Sequence, residues 1–303
     1  MPDTEATSPA EPGVPAPDHR LPARTRLGVV RLQVADLERS VGWYTRVLGL
    51  EKREMGPDTV QLSPEDGTDP LLELVERPGA RPAPRGGRPG LFHFALLLPD
   101  RDRLGAFVRH LWDLDEPAGA SDHLVSEALY LRDPDGLGVE VYADRPRNVW
   151  RHQGRELQMA TYPLDLRRLV REVGEARWSG TPSGTTMGHI HLHVGDLERA
   201  QAFYHGVLGL DLMVWSYPGA RFLSAGGYHH HLGLNTWGTE MEPAGRDEAK
   251  LLDWELVVPA AEDVEGVAGA LESAGYPFHR TNGDGITEDP WGTRLRIRAE
   301  LSA

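Results

Sequence analysis

The chain repeats itself at a fixed spacing, and this limits its fold more than any other feature. Residues 188–210, GHIHLHVGDLERAQAFYHGVLGL, align without a gap to residues 28–50, GVVRLQVADLERSVGWYTRVLGL, at an offset of 160 positions. At the same offset LLDWELVVPA, 251–260, aligns to LFHFALLLPD, 91–100; further on, Asp289-Pro290-Trp291-Gly292 echoes Asp133-Pro134-Asp135-Gly136, four residues out of that register. Self-similarity over such a period marks repeated supersecondary units. Within the first copy, GVVRLQVAD reads as a strand and LERSVGWYTRVLG as a helix capped by Asp36 and ended at Gly49. Shorter strands follow near 59–62 and 71–75, and a helix is expected near Leu104–Leu111 in the second copy. The pattern predicts an α+β fold of four βαβββ modules, beginning near residues 28, 91, 188 and 251.

The modules group into halves. Residues 1–24, rich in Pro, Ala and acidic side chains and without periodicity, are expected to be a disordered tail. Residues 25–148 form the first two-module half and 185–303 the second, with 149–184 a linker that includes a helix around LDLRRLVREVG. The chain carries 32 Lys and Arg against 46 Asp and Glu, a net charge of −14. That balance argues against nucleic acid or an anionic membrane surface as a partner. There is no cysteine, so any bound metal rests on histidine and carboxylate. No apolar run is long enough for a membrane span, and the N-terminal stretch does not read as a secretory signal, so a cytoplasmic location is expected.

The chemistry concentrates in Ser121–Tyr142, SDHLVSEALYLRDPDGLGVEVY. Val139, Val141 and Tyr142 are strand formers, and they place Glu140 where burial is expected. A buried carboxylate needs a cation or metal beside it. His123, then Tyr130, then Asp133-Pro134-Asp135-Gly136, then Glu140 resembles the signature of the extradiol ring-cleaving dioxygenases. Ser121, two before the histidine, departs from that family's usual residue. Four modules of this kind resemble the vicinal-oxygen-chelate (glyoxalase/bleomycin resistance/dioxygenase) superfamily over about residues 27–300. The resemblance therefore implies two tandem vicinal-oxygen-chelate domains. The run Gly226–Trp237, with His229-His230-His231 at its centre, makes the likeness strongest to two-domain catechol 2,3-dioxygenases.

In that superfamily the metal ligands come from the first and last strands of the modules. The first-strand ligand sits seven residues before the aspartate that starts the helix. Carried onto this chain, the rule gives Val29, His93, His189 and Asp253 in the four modules. The last-strand positions are Glu140 and Arg296. Valine cannot ligate and arginine repels a cation, so the resemblance implies a site of His93, Glu140 and His189. Two histidines and a carboxylate form a facial triad for Fe(II), with open positions for substrate and oxygen; Mn(II) suits the same donors. This set requires modules two and three to share a cup, with one and four forming the other. Two further arrangements remain open at this stage. Modules one and two together would bring Glu73 to His93 and Glu140, or His189 could join Asp253 and one of His229–His231.

The resemblance also implies catalytic roles outside the triad. Tyr130, ten residues before Glu140, would donate to a substrate oxygen, and His123 would sit at the rim. His230 would be the acid–base residue, with His231 the alternative if the register slips by one. Strand alternation would send 229 and 231 to one face and 230 to the other. His191 shares a strand face with His189, Asn235 could contact substrate, and Trp43 and Trp237 read as packing residues. The implied partners are a small aromatic diol and O2; homo-oligomerisation is compatible with the sequence. Two other functions fit the fold: a glyoxalase I-like metal-dependent lyase or isomerase, and a metal-free protein that sequesters small molecules.

Overall fold

The computed structural model describes residues 11–300 except 66, 68, 85, 175, 239, 240, 282 and 283. Each module opens on a long lead strand: Arg26–Val34, Gly90–Leu97, Thr186–His193 and Lys250–Val258. The capping logic repeats with the sequence. Asp36, Asp100 and Asp196 each accept a hydrogen bond from the backbone N–H three residues on, satisfying a donor that helix geometry leaves free. In module four alanine stands at that position, and Asp263 instead reaches back to the Ala260 N–H at 2.9 Å. The helices of modules one and three end in π-helical turns, Tyr44–Leu48 and Ala202–Val207. Gly49 then turns the chain at φ 77°, a backbone state that favours glycine.

The sheets join modules across the two halves. One runs from the strands of module two through the lead strands Gly90–Leu97 and Thr186–His193 into module three. The other joins modules four and one through Lys250–Val258 and Arg26–Val34. In both, the two lead strands lie antiparallel at the centre. Along them the side chains alternate. Phe94, Leu96, Ile190 and Leu192 enter the same hydrophobic core as Leu32, Trp254 and Leu256 of the other sheet. Burying each such side chain stabilises the fold by about 1.5–3 kcal/mol. The intervening residues, His93, Ala95, His189 and His191, point to the opposite face. The modules also interlock: Tyr44 of module one donates to Asp133 in the turn of module two at 3.0 Å, and Tyr204 of module three donates to Asp289 of module four at 2.9 Å.

Part of the expected disordered tail, residues 1–24, is ordered, because it is pinned to module three. Residues 1–10 lie outside the described residues. From there on, Val14 bridges Leu212, Leu21 is buried, and Arg20 donates to the buried Asp211 at 2.8 and 2.9 Å. The linker does contain a helix, Leu166–Glu172, and Tyr162–Pro163 adds a short edge strand to the sheet of modules two and three. The helix of module two runs Arg101–Asp113, longer than its apolar stretch. No helix among the described residues is long and apolar enough to cross a membrane.

The cup of modules one and four is closed by charge. Arg31 donates to Glu73 at 2.6 Å and to Asp253 at 2.9 Å, and Arg296 approaches Asp253 at 3.7 Å. These positions correspond to His191 and His93 in the other cup. Glu73 is therefore on the wrong sheet to complete a site with His93, and the arrangement that needed it is excluded. Asp253 likewise lies across from Arg31, not beside His189. Replacing Arg31 by methionine would leave Asp253, which is 2 % exposed, without its closest cation. Such a loss costs about 3 kcal/mol. Urea denaturation of Arg31→Met should register a drop of that size, while metal content at the opposite cup stays unchanged.

Candidate metal centre and its cup

The site follows from strand register. Ala95 lies between His189 on one neighbouring strand and Glu140 on the other. Tyr130 is opposite Glu140 one strand further out. In the adjoining row His93 faces His191, which in turn faces Gly233. The small Ala95 methyl between two long side chains lets them converge above it. Gly233 does the same for His191, since a Cβ there would lie 2.7 Å from the His191 ring. Bulges on either side of His189–His191 tilt the strand locally.

His93, Glu140 and His189 are brought together. The Glu140 Oε2 lies 3.0 Å from His93 Nε2 and 3.2 Å from His189 Nε2. One donor atom from each of the three lies within 4.8 Å of the others, the one such cluster of potential ligands found among the described residues. All three side chains are buried, 5, 2 and 2 % exposed respectively. His93 Nε2 is buried without a hydrogen bond of good angle. Burial pushes the His189 imidazole down to about 4, so it is neutral at pH 7 with a lone pair to give. Burial pushes the Glu140 carboxyl up, but the adjacent His189 and His93 outweigh this and hold it well below its usual range. Two imidazoles and one carboxylate, buried and convergent, with His93 Nε2 and His189 Nδ1 lacking partners, fit a divalent metal.

Around the triad sit the other histidines. His123 Nδ1 donates to the Ala160 carbonyl at 2.7 Å, and its Nε2 lies 2.6 Å from the Tyr130 hydroxyl. The Tyr130 hydroxyl thus lies between the His123 ring and the Glu140 carboxylate at the edge of the cup. Burial, with the Glu140 charge adding to it, pushes the Tyr130 hydroxyl well above its ordinary value and keeps it protonated. His230 stacks on His189 with ring centroids 4.1 Å apart. Behind it His229 Nε2 donates to Asp144 at 2.9 Å, which frees His229 Nδ1 to accept from His230 Nδ1 at 2.7 Å. This chain leaves His230 Nε2 unprotonated and without a protein partner at the cup.

The remaining sequence expectations divide. His191 lines the cup beside His93. His231 turns away: its Nδ1 accepts from the Ala225 N–H at 3.1 Å. Alternation fails for the three histidines because they lie in a bend ahead of the strand Leu232–Asn235, so 229 and 230 both approach His189. Asn235 is occupied elsewhere, with its carbonyl oxygen 2.6 Å from His193 and accepting from the Trp237 N–H at 3.0 Å. Trp43 packs as expected and donates to Glu116. Trp237, also expected to pack, is half exposed and lines the cup.

Sequence reasoning missed the rest of the wall. The cup is a cavity of about 230 Å³ whose lining also includes Phe92, Met159, Tyr217 and Phe222. Phe92 precedes His93 and could have been flagged by adjacency; Met159 and Tyr217 carry no motif. Asp144 was missed too, although it lies four residues after Glu140 on the same strand. Glu140→Ala should reduce tightly bound metal from about one ion per chain to near none by mass spectrometry of the purified protein, with the circular dichroism spectrum retained. Loss of an orienting neighbour alone typically costs 10–100-fold in metal affinity, and loss of a ligand costs more.

The fold and the cup have relatives. The Glyoxalase/Bleomycin resistance protein/Dioxygenase superfamily matches the chain twice, over residues 26–141 and 186–297. A catechol-2,3-dioxygenase of Bacillus subtilis (strain 168) is 43 % identical over 270 residues, covering 88 % of this chain and 94 % of that protein. Among solved structures, a proposed dioxygenase from Bacillus subtilis superposes with a TM-score of 0.65 at 14 % identity, over 94 % of this chain and 87 % of that one. Glyoxalase I from Zea mays gives 0.54 at 17 % identity, over 90 % and 92 %. At these identities the two structures speak for the fold alone. The doubled match and the closely similar dioxygenase together establish that this chain belongs to the glyoxalase/bleomycin resistance/dioxygenase superfamily.

Proposed function

We propose that the protein is an extradiol dioxygenase that opens the ring of a catechol-type substrate beside its two hydroxyls, using O2 and a metal held by His93, Glu140 and His189. The observation that carries this reading is the convergence of the three donors in a buried cup, in a chain 43 % identical to a catechol-2,3-dioxygenase. Fe(II) is the metal this reading assigns, since ring cleavage by O2 at a two-histidine, one-carboxylate triad is iron chemistry, although Mn(II) suits the same donors. Held by His93, Glu140 and His189, a ferrous ion would supply the Lewis acidity and the one-electron redox chemistry that ring cleavage by O2 needs.

The protein's own residues do the rest. His230 Nε2, left bare by the Asp144–His229 chain, takes a proton from the substrate hydroxyl and returns it to the leaving oxygen later. Tyr130, held by His123, hydrogen-bonds a substrate oxygen at the edge of the cup. The aromatic wall excludes water and fixes the ring plane, so that the carbon beside the diol is the one presented to oxygen. Asp144 and His229 act through His230 and are positioning residues.

The reading is tested by loading the protein anaerobically with Fe(II) and admitting catechol in air. A yellow semialdehyde should appear with one O2 consumed per substrate. His189→Ala should abolish both. His230→Phe should keep the metal but lower kcat by about 10²–10⁴-fold, the usual contribution of a positioned acid–base group. Bound metal with no product from any catechol would sink the proposal.

A further inference from the structure

A second cavity, of about 550 Å³, lies where the first residues of the lead strands Arg26–Val34 and Thr186–His193 come together, and it shares no lining residue with the metal cup. Four arginines line it, Arg24, Arg26, Arg147 and Arg298, against one acidic residue among the described ones, Asp69. The chain as a whole carries a net charge of −14, so this concentration of positive charge is a local arrangement. Neighbouring carboxylates answer part of it. Arg24 and Arg26 reach Glu300 at 3.2 and 3.3 Å, and Arg298 reaches Glu255 at 3.1 Å. Arg147 has no ion pair among the described residues. Its guanidinium donates to the Gly226 carbonyl at 3.2 Å and lies 5.5 and 5.6 Å from the ring centroids of Trp150 and Tyr228. Aromatic faces orient a guanidinium without cancelling its charge.

Two neutral donors belong to the same lining. His231, which turns away from the metal cup, packs on the Tyr228 ring with centroids 5.0 Å apart. Its Nδ1 accepts from the Ala225 N–H, so Nε2 carries the ring proton, and that N–H has no hydrogen-bond partner among the described residues. The Thr25 hydroxyl, on a residue 3 % exposed, is also buried without a partner. Leaving such a group unpaired is unfavourable, and a ligand oxygen would pair it. Leu27, Leu71, Leu97 and Met187 add an apolar surface that an inorganic ion would leave uncovered. From these groups we infer that the cavity binds a small organic anion, an oxyanion head on an apolar body, with Arg147, His231 and Thr25 donating to the head. Carboxylates and phosphate monoesters share this chemistry. None of the three metal ligands lines the cavity, so the site stands whether or not the chain cleaves catechols.

Anaerobic calorimetric titration of the Fe(II)-loaded protein with benzoate, phenyl phosphate and benzamide would test this. Benzoate or phenyl phosphate should bind at one site per chain, and the tighter of the two names the head group. Benzamide has the shape of benzoate without its charge and should bind about tenfold more weakly or worse, as loss of a charge-assisted contact implies. Arg147→Gln, at an exposed position, should weaken the anion by about tenfold, with metal content and melting temperature unchanged. Thr25→Val, which keeps the side-chain shape and removes the hydroxyl, should weaken it by about threefold or more. Glu140→Ala, which empties the metal cup, should leave the affinity as it was. Binding that survives Arg147→Gln would place the anion elsewhere, on the metal if Glu140→Ala removes it, and would overturn the inference. Benzamide binding as tightly as benzoate would overturn it too, and so would failure of both anions to bind.

Discussion

The antiparallel pairing of Gly90–Leu97 with Thr186–His193 is the contact on which the site depends. It joins residues far apart in the chain, one from each half. It places His93 and His189 on one face of one sheet, with Ala95 between His189 and Glu140. A slip of one residue would exchange the faces, sending the histidines into the apolar core and Phe94 and Ile190 into the cup. The core therefore enforces the register, because bare imidazoles among Leu32, Trp254 and Leu256 would lose their hydrogen bonds and displace apolar contacts. Tyr44 and Tyr204, each bonding the turn of a neighbouring module, tie the two sheets together around this seam.

The two cups share a backbone and differ in what fills them. One holds imidazoles and a single carboxylate, converging without enough hydrogen bonds among themselves. The other holds arginines paired with carboxylates, and its charges are largely matched. A repeated fold needs something polar at these positions because the lead strands present the same face in both sheets. In one sheet the residues satisfy one another; in the other they leave donor atoms for a metal. The same contrast accounts for the lining of the cup of modules two and three, where histidine and aromatic side chains stand where the other cup holds ion pairs.

Much of this was legible beforehand. The repeat gave the four modules because strand and helix signals recur at one spacing, and the capping aspartates marked each helix start. His93, His189 and Glu140 could be selected because they stand at equivalent places in a repeat and match a family's pattern. Other features were not legible. Residues 229–231 looked like a strand but sit in a bend, so alternation misassigned their faces. Trp237 and Met159 reach the cup through tertiary folding, with no local signal. Val14–Leu21 read as a tail by composition, yet a buried aspartate on module three gives Arg20 a partner and holds the segment in place.

The sequence by itself determined the number and kind of modules, since periodicity and capping are local properties. It also determined which residues could ligate a metal, since donor chemistry belongs to the side chain. Only the tertiary structure decided which modules share a cup. Each lead strand exposes two edges, and nothing local distinguishes a partner in the same half from one in the other. That choice, made by long-range packing of the two sheets over one core, separates Glu73 from the site and brings His189 to it.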